Sequence, residues 1–173
     1  MNMTHYMELL AANQPWNLLL FMAVPVILAE TLAITELAVL FGGDTTPRPV
    51  RAANRWSGIL AGGYFAVVFV TLMLTAAIPL TLGGGWRGPI DVVAVGFYLF
   101  GIVPLGGVAL LDLGLIGRGR SERQRMKLHV AFVALFLVTA HVAMIAGMLD
   151  PTLIGGDAAA AVQDMHGMHG TAQ

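Results

Sequence analysis

The stretch Trp56-Ser-Gly-Ile-Leu-Ala-Gly-Gly-Tyr-Phe-Ala-Val-Val-Phe-Val-Thr-Leu-Met-Leu-Thr-Ala-Ala-Ile-Pro-Leu-Thr-Leu82 decides the fold, because no charged side chain occurs between Arg55 and Arg87. A helix crossing the hydrocarbon layer of a bilayer needs about 20 predominantly apolar residues, and this run exceeds that. Three further segments qualify on either side of it: Trp16 to Phe41, Ile90 to Ile116 and Leu128 to Leu149. Glu30 and Glu36 interrupt the first of them. The whole chain agrees, with 57% hydrophobic residues, 11% charged and a mean hydropathy of +0.78, far from the balance of a soluble domain. The expected fold is therefore all-α: a polytopic membrane protein built as a four-transmembrane-helix bundle. No basic region precedes the first span and no small-residue cleavage site follows it, so it is expected to be retained.

Basic residues set the expected orientation. Arg48, Arg51 and Arg55 fall between spans one and two, and Arg118, Arg120, Arg123, Arg125 and Lys127 between spans three and four; only Arg87 falls between two and three. The positive-inside rule places the two rich loops in the cytoplasm and both termini outside. Residues 1–14 then form an extracytoplasmic segment, 15–153 the membrane domain and 154–173 a flexible extracytoplasmic tail. The chain has no cysteine, which excludes disulfides, iron-sulfur ligation and thiolate metal sites.

Helix ends carry ordinary signals. Asn13 is expected to cap the first span with Pro15 in its first turn, and Pro89 to open the third with Asp91 at the positive end of its dipole. Trp16, Trp56 and Trp86 sit at expected boundaries as interfacial anchors. Pro25, Pro79 and Pro104, Gly58-x-x-x-Gly62 and the Gly101, Gly106, Gly107 series suit helix packing. A short similarity links Ala33-Ile-Thr-Glu36-Leu-Ala-Val-Leu-Phe-Gly42 to Ala109-Leu-Leu-Asp112-Leu-Gly-Leu-Ile-Gly117, as a two-hairpin repeat would.

Candidate functional groups fall in three places. Interleaved Met and His occur at both ends, in Met1-Asn-Met3-Thr-His5-Tyr-Met7 and in Met165-His166-Gly-Met168-His169-Gly, and thioether with imidazole suits copper better than magnesium or calcium. A carboxylate in mid-membrane is functional by default, and counting at about 1.5 Å per residue puts Glu30 and His141 near the centres of spans one and four, as expected partners. The same count puts Glu36 and Asp112 in a lower acidic layer, with His129 lower still. His141, Met144 and Met148 share one stripe of span four, and Met22 and Met73 lie at a similar depth. The expected metal ligands are thus His141, Met144, Met148, Glu30, Met22, Met73, His5, His166, Met168 and His169, with core packing as the competing role of the membrane methionines.

As a whole the chain resembles a group of small bacterial inner-membrane proteins of unknown function, sometimes labelled permeases. Asn17-Leu-Leu-Leu-Phe-Met-Ala-Val-Pro-Val-Ile-Leu-Ala-Glu-Thr-Leu-Ala-Ile-Thr-Glu36, Gly84-Gly-Trp-Arg-Gly-Pro-Ile-Asp91 and Met148-Leu-Asp-Pro151 carry the resemblance, which extends to Leu153. It implies four spans and a bacterial inner membrane, and brings no site residues with it.

Three functions follow as expectations. The first is a membrane metal-handling protein that captures copper outside and passes it to an intramembrane Glu/His/Met site for transport or delivery. The second is a non-catalytic accessory subunit of a larger membrane complex. The third is a protein of one b-type haem, since His129 and His141, about 18 Å apart along a helix, cannot ligate the same iron. No hydrolase triad, phosphate loop or dinucleotide fingerprint occurs, so no enzyme is expected. The expected partners are the lipid bilayer and a second copy or a larger membrane complex, and not nucleic acid.

Overall fold

The computed structural model describes residues 3–151. A short helix, α1 (His5–Ala11), precedes four helices long and apolar enough to cross a membrane: α2 (Trp16–Thr45), α3 (Arg48–Gly83), α4 (Pro89–Asp112) and α5 (Glu122–Met148). No strand occurs among the described residues. The order is an antiparallel bundle in which α4 is the packing centre: half of its apolar window is buried, against 17% for α2. One end carries both arginine clusters and is called the basic end; at the other, α1, the α3–α4 loop and the end of α5 meet.

Each long helix starts and stops for a local reason. Pro47 precedes α3 and Pro49 sits in its first turn, where a missing N–H costs nothing. That start lies a full two turns before Trp56, so Arg48, Arg51 and Arg55 belong to the helix and not to a loop. Gly84, in the left-handed region at φ 63°, ends α3. Ser121 and Gln124 form a reciprocal capping box that opens α5 earlier than hydropathy alone indicates. Asn13 does not act as the expected side-chain cap of α2: it sits at φ 48°, and its carbonyl accepts from Trp16 N–H at 3.0 Å.

Prolines explain the irregular turns inside the spans. A proline ring clashes with the carbonyl four residues back and supplies no N–H to it. Ahead of Pro25 the chain widens into a π-turn at Leu19–Ala23, ahead of Pro79 into another at Met73–Ala77, and ahead of Pro104 α4 breaks at Gly101. At Pro25 the freed oxygens find new donors: Tyr98 Oη donates to Phe21 O at 2.7 Å and Tyr64 Oη to Leu20 O at 2.9 Å. Phenols of α3 and α4 thereby replace what the proline removes, as an apolar solvent requires.

Small residues set how close the helices come. A Cβ on Gly62 would meet the Leu105 carbonyl oxygen at 2.6 Å, so α3 and α4 touch backbone to backbone there. Gly107 gives the same room to the ring of Phe132 on α5. The central core runs through Phe65, Leu72, Ala94, Tyr98, Leu105 and Phe136. Outward faces are apolar, with Ile34, Phe41, Val67, Leu82, Val138 and Ile145 all exposed, which fits lipid and not water around the bundle.

Candidate functional site

At the basic end, each spanning helix contributes one polar side chain to a common group: Glu36 from α2, Asn54 from α3, Asp112 from α4 and His129 from α5. Glu36, Asn54 and His129 are all buried. His129 stands between two carboxylates, with Nε2 at 3.2 Å from Asp112 Oδ2 and Nδ1 at 2.7 Å from Glu36 Oε2. The second contact is close enough for an ion pair but off the line of a hydrogen bond, so Nδ1 is a buried nitrogen without a hydrogen-bond partner. Asn54 donates to the same Glu36 oxygen at 2.9 Å and to Thr35 Oγ1 at 3.2 Å. Both nitrogens of an imidazole are donors only when the ring is protonated, so the imidazolium is the form that serves both acids.

The local backbone is arranged to admit these groups. A Cβ on Gly58 would run into the carboxylate of Asp112 and stand 2.8 Å from Val108, so the glycine is where the acid fits. Arg55 Nε donates to Asp112 O at 3.1 Å and Arg125 to Leu111 O at 2.8 Å, capping the last carbonyls of α4 with positive charge. Above this floor lies a cleft of about 450 Å³, lined by residues of all four spanning helices, whose mouth carries Arg120, Glu122 and Arg125. The acids Glu36 and Asp112 occupy aligned positions of the short internal similarity, and the structure sets them on the two edges of one ring.

The other end holds a different arrangement. Asp91 is fully buried and accepts from His5 N at 2.7 Å, from His5 Nδ1 at 2.5 Å and from Arg87 N at 3.2 Å. Arg87 in turn donates to Met3 O at 2.5 Å and pairs with Glu8, while Thr4 Oγ1 donates to Gly147 O at 2.8 Å. Tyr6 and Leu10 are buried beneath α1, and burial pushes the Tyr6 phenol above its ordinary value. From Met3 onward the N-terminal Met/His tract is therefore a folded segment clamped to the bundle, and His5, expected as a metal ligand, has one ring nitrogen committed to Asp91.

Other expected ligands are dispersed. The Glu30–His141 pair does not form: both side chains are exposed, Glu30 makes no hydrogen bond or ion pair among the described residues, and His141 Nδ1 meets only the Leu137 carbonyl of its own helix, at 2.6 Å. The reason is register. The Glu36–His129 contact fixes a common level, and from it Glu30 lies about 9 Å up α2 whereas His141 lies about 18 Å up α5. Met144 and Met148 do share a stripe with His141, but it faces outward, at 39% and 72% exposure for the two methionines. Met22 and Met73 are half-buried against the central core. His166, Met168 and His169 lie outside the described residues. Among the described residues no three His, Asp or Glu side chains are placed to hold one metal ion.

Sequence reasoning missed Asn54 and undervalued His129. Asn54 was hidden by placing the start of span two at Trp56; the helix-start signal of Pro47 and Pro49, with Arg48, Arg51 and Arg55 at helical spacing, was there to extend it. No curated protein and no solved structure matches the chain. A family model described as a family of unknown function, DUF6803, matches residues 1–163, which include α1 and all four spanning helices, and the chain belongs to that family.

Proposed function

We propose that this protein is a proton-coupled membrane carrier whose coupling group is Glu36–His129–Asp112. One observation carries the reading: a single buried imidazole spans two carboxylates from different helices at the floor of an open cleft. Ionisable side chains at such depth mark ion or substrate pathways, and a histidine ring can take up and release a proton. Protonated, the ring ties α2, α4 and α5 together; deprotonated, it can serve one acid and leaves the other without its partner. Loss of one proton therefore loosens the basic end specifically, which is the differential contact that a two-state carrier requires. The positive-inside rule supports a cytoplasmic position for that end in a bacterial inner membrane.

Cysteine labelling tests this directly, because the chain has no native cysteine. Val39→Cys reports on the cleft and Ala94→Cys on the buried interior of α4 toward the opposite end. Across a titration carried from neutral into the alkaline range, labelling at the two positions is expected to change in opposite directions in wild-type background and to stay fixed in His129→Gln. Labelling that ignores pH in both backgrounds ends the reading.

Copper capture is a second reading, supported by a different observation. Met144 and Met148 stand exposed on the final turns of α5, the helix from which the chain leads to His166, Met168 and His169. Elemental analysis of purified protein with and without residues 155–173 tests it: stoichiometric copper lost with the tail supports capture there, and no copper in either form removes it.

A further inference from the structure

We infer that the cleft at the basic end takes a small organic cation carrying N–H donors, of the alkylguanidinium or alkylammonium class, in exchange for the proton on His129. The inference rests on the reading of Glu36–His129–Asp112 as a proton-coupling group and names the substrate class of that same site.

The charge balance of the cleft points to a cation. Its lining includes Glu36, Asp112 and Glu122 against Arg120 and Arg125, so with His129 neutral the acids exceed the guanidiniums by one. Arg125 is already engaged with the Leu111 carbonyl, and Arg55 with that of Asp112. Positive charge thus sits on backbone caps and at the mouth, while the floor is negative. An anion reaching the floor would face two carboxylates; a cation would restore the partner that deprotonation removes.

Geometry then selects an organic cation over a metal ion. Glu36 and Asp112 lie on the two edges of the imidazole ring, so their oxygens do not converge on a point charge, and no metal-holding trio exists among the described residues. What the two acids already hold is a planar cation with N–H bonds directed to both sides. A guanidinium or ammonium group offers the same divergent donors. Asn54 spends its amide N–H bonds on Glu36 and Thr35, so what this lining residue has left for a donor-rich ligand is its carbonyl oxygen, a third acceptor. The buried Nδ1 of His129, 2.7 Å from Glu36 yet without an aligned partner, marks where the present fit is loose. A cleft of about 450 Å³ has room for a small molecule and far exceeds a bare ion.

The exchange balances. One cation enters, one proton leaves His129 to water, and the net charge of the site is unchanged. Methylguanidinium chloride is the probe, added to the full-length protein in lipid nanodiscs in weakly buffered solution, with equal potassium chloride as the salt control. Calorimetry reads binding and a pH dye reads protons. Wild type is expected to bind saturably and to release up to one proton per chain. Glu36→Gln is expected to weaken binding by about tenfold or more. His129→Gln keeps both acids and is expected to bind methylguanidinium with no proton release; thermal melting establishes that each variant is folded. Absence of saturable binding overturns the cation inference, and if the pH-dependent labelling at Val39→Cys persists, the proton-coupling reading stands without it. Proton release by His129→Gln equal to wild type also overturns it, because another group then supplies the proton. Saturable binding of acetate in place of methylguanidinium would reverse the charge assignment and overturn it as well.

Discussion

Two histidines at opposite ends of the bundle face buried carboxylates, and the difference between them separates a fastening from a working group. At the N-terminal end, Asp91 is a single acid with three N–H donors, two of them backbone groups that never titrate. At the basic end, one ring is divided between two acids from two helices, and one of its nitrogens lies out of line beneath an open cleft. Residue types are the same at both ends. What distinguishes them is how completely each carboxylate is satisfied without the histidine's proton.

The strongest attack on that contrast is Asp91→Ala. It leaves the His5 and Arg87 N–H groups without their acceptor and removes the anchor of α1, so a loss of about 3–5 kcal/mol is expected, read as a large drop in thermal unfolding by far-UV circular dichroism in detergent. The pH-dependent labelling at the basic end should survive in molecules that remain folded. If Asp91→Ala leaves the melting temperature unchanged, the N-terminal end is not a fastening.

Next comes Asn54→Ala, which removes the only uncharged donor to the Glu36 carboxylate among the described residues. A hydrogen bond to a charged group contributes about 1.5–3 kcal/mol, and a loss in that range is expected from denaturation in mixed detergent. Gly58→Ala follows at about 1–3 kcal/mol, because the added methyl occupies the space of the Asp112 carboxylate against tightly packed Val108. It should also detach Asp112 from His129 and blunt the pH response, whereas Gly63→Ala on the same helix, where a Cβ meets nothing, should do neither. Equal behaviour of the two glycine variants would remove Gly58 from the site.

The sequence disclosed the spans and the lower acidic layer because both depend on short-range quantities, hydropathy and the rise per residue. Glu36 and Asp112 were placed at one level by counting, and the structure sets them on one ring. Counting failed for Glu30 and His141, since each was referred to the middle of its own hydrophobic run, and runs of unequal overhang do not share a centre. The Glu36–His129 contact supplies the true register, and it is tertiary information. Asp91 was legible as a helix-start acid, but not as the acceptor for His5, because that bond joins residues 86 positions apart. Asn54 was lost to a boundary error, and with it the one neutral member of the group.

The smallest expected effect on stability gives the sharpest test of the comparison. Replacing Glu36, His129 and Asp112 together with Gln, Gln and Asn keeps shape and hydrogen-bonding capacity while removing every charge from the group. Whole buried ion groups exchanged for neutral partners are often close to neutral in stability, because the desolvation of the charges disappears along with their attraction, so a change within about 1 kcal/mol is expected. The Asp91→Asn change at the other end has no such compensation: an amide keeps one acceptor oxygen where three N–H groups converge, so it should destabilise more than the triple replacement does. The triple variant should nevertheless lose all pH dependence of labelling at Val39→Cys and all proton release. A folded, stable, pH-blind protein would mean that the charges at the basic end are held there for exchange. A collapse in its stability would mean instead that they are held there for packing, and the two ends of the bundle would then be two versions of the same clasp.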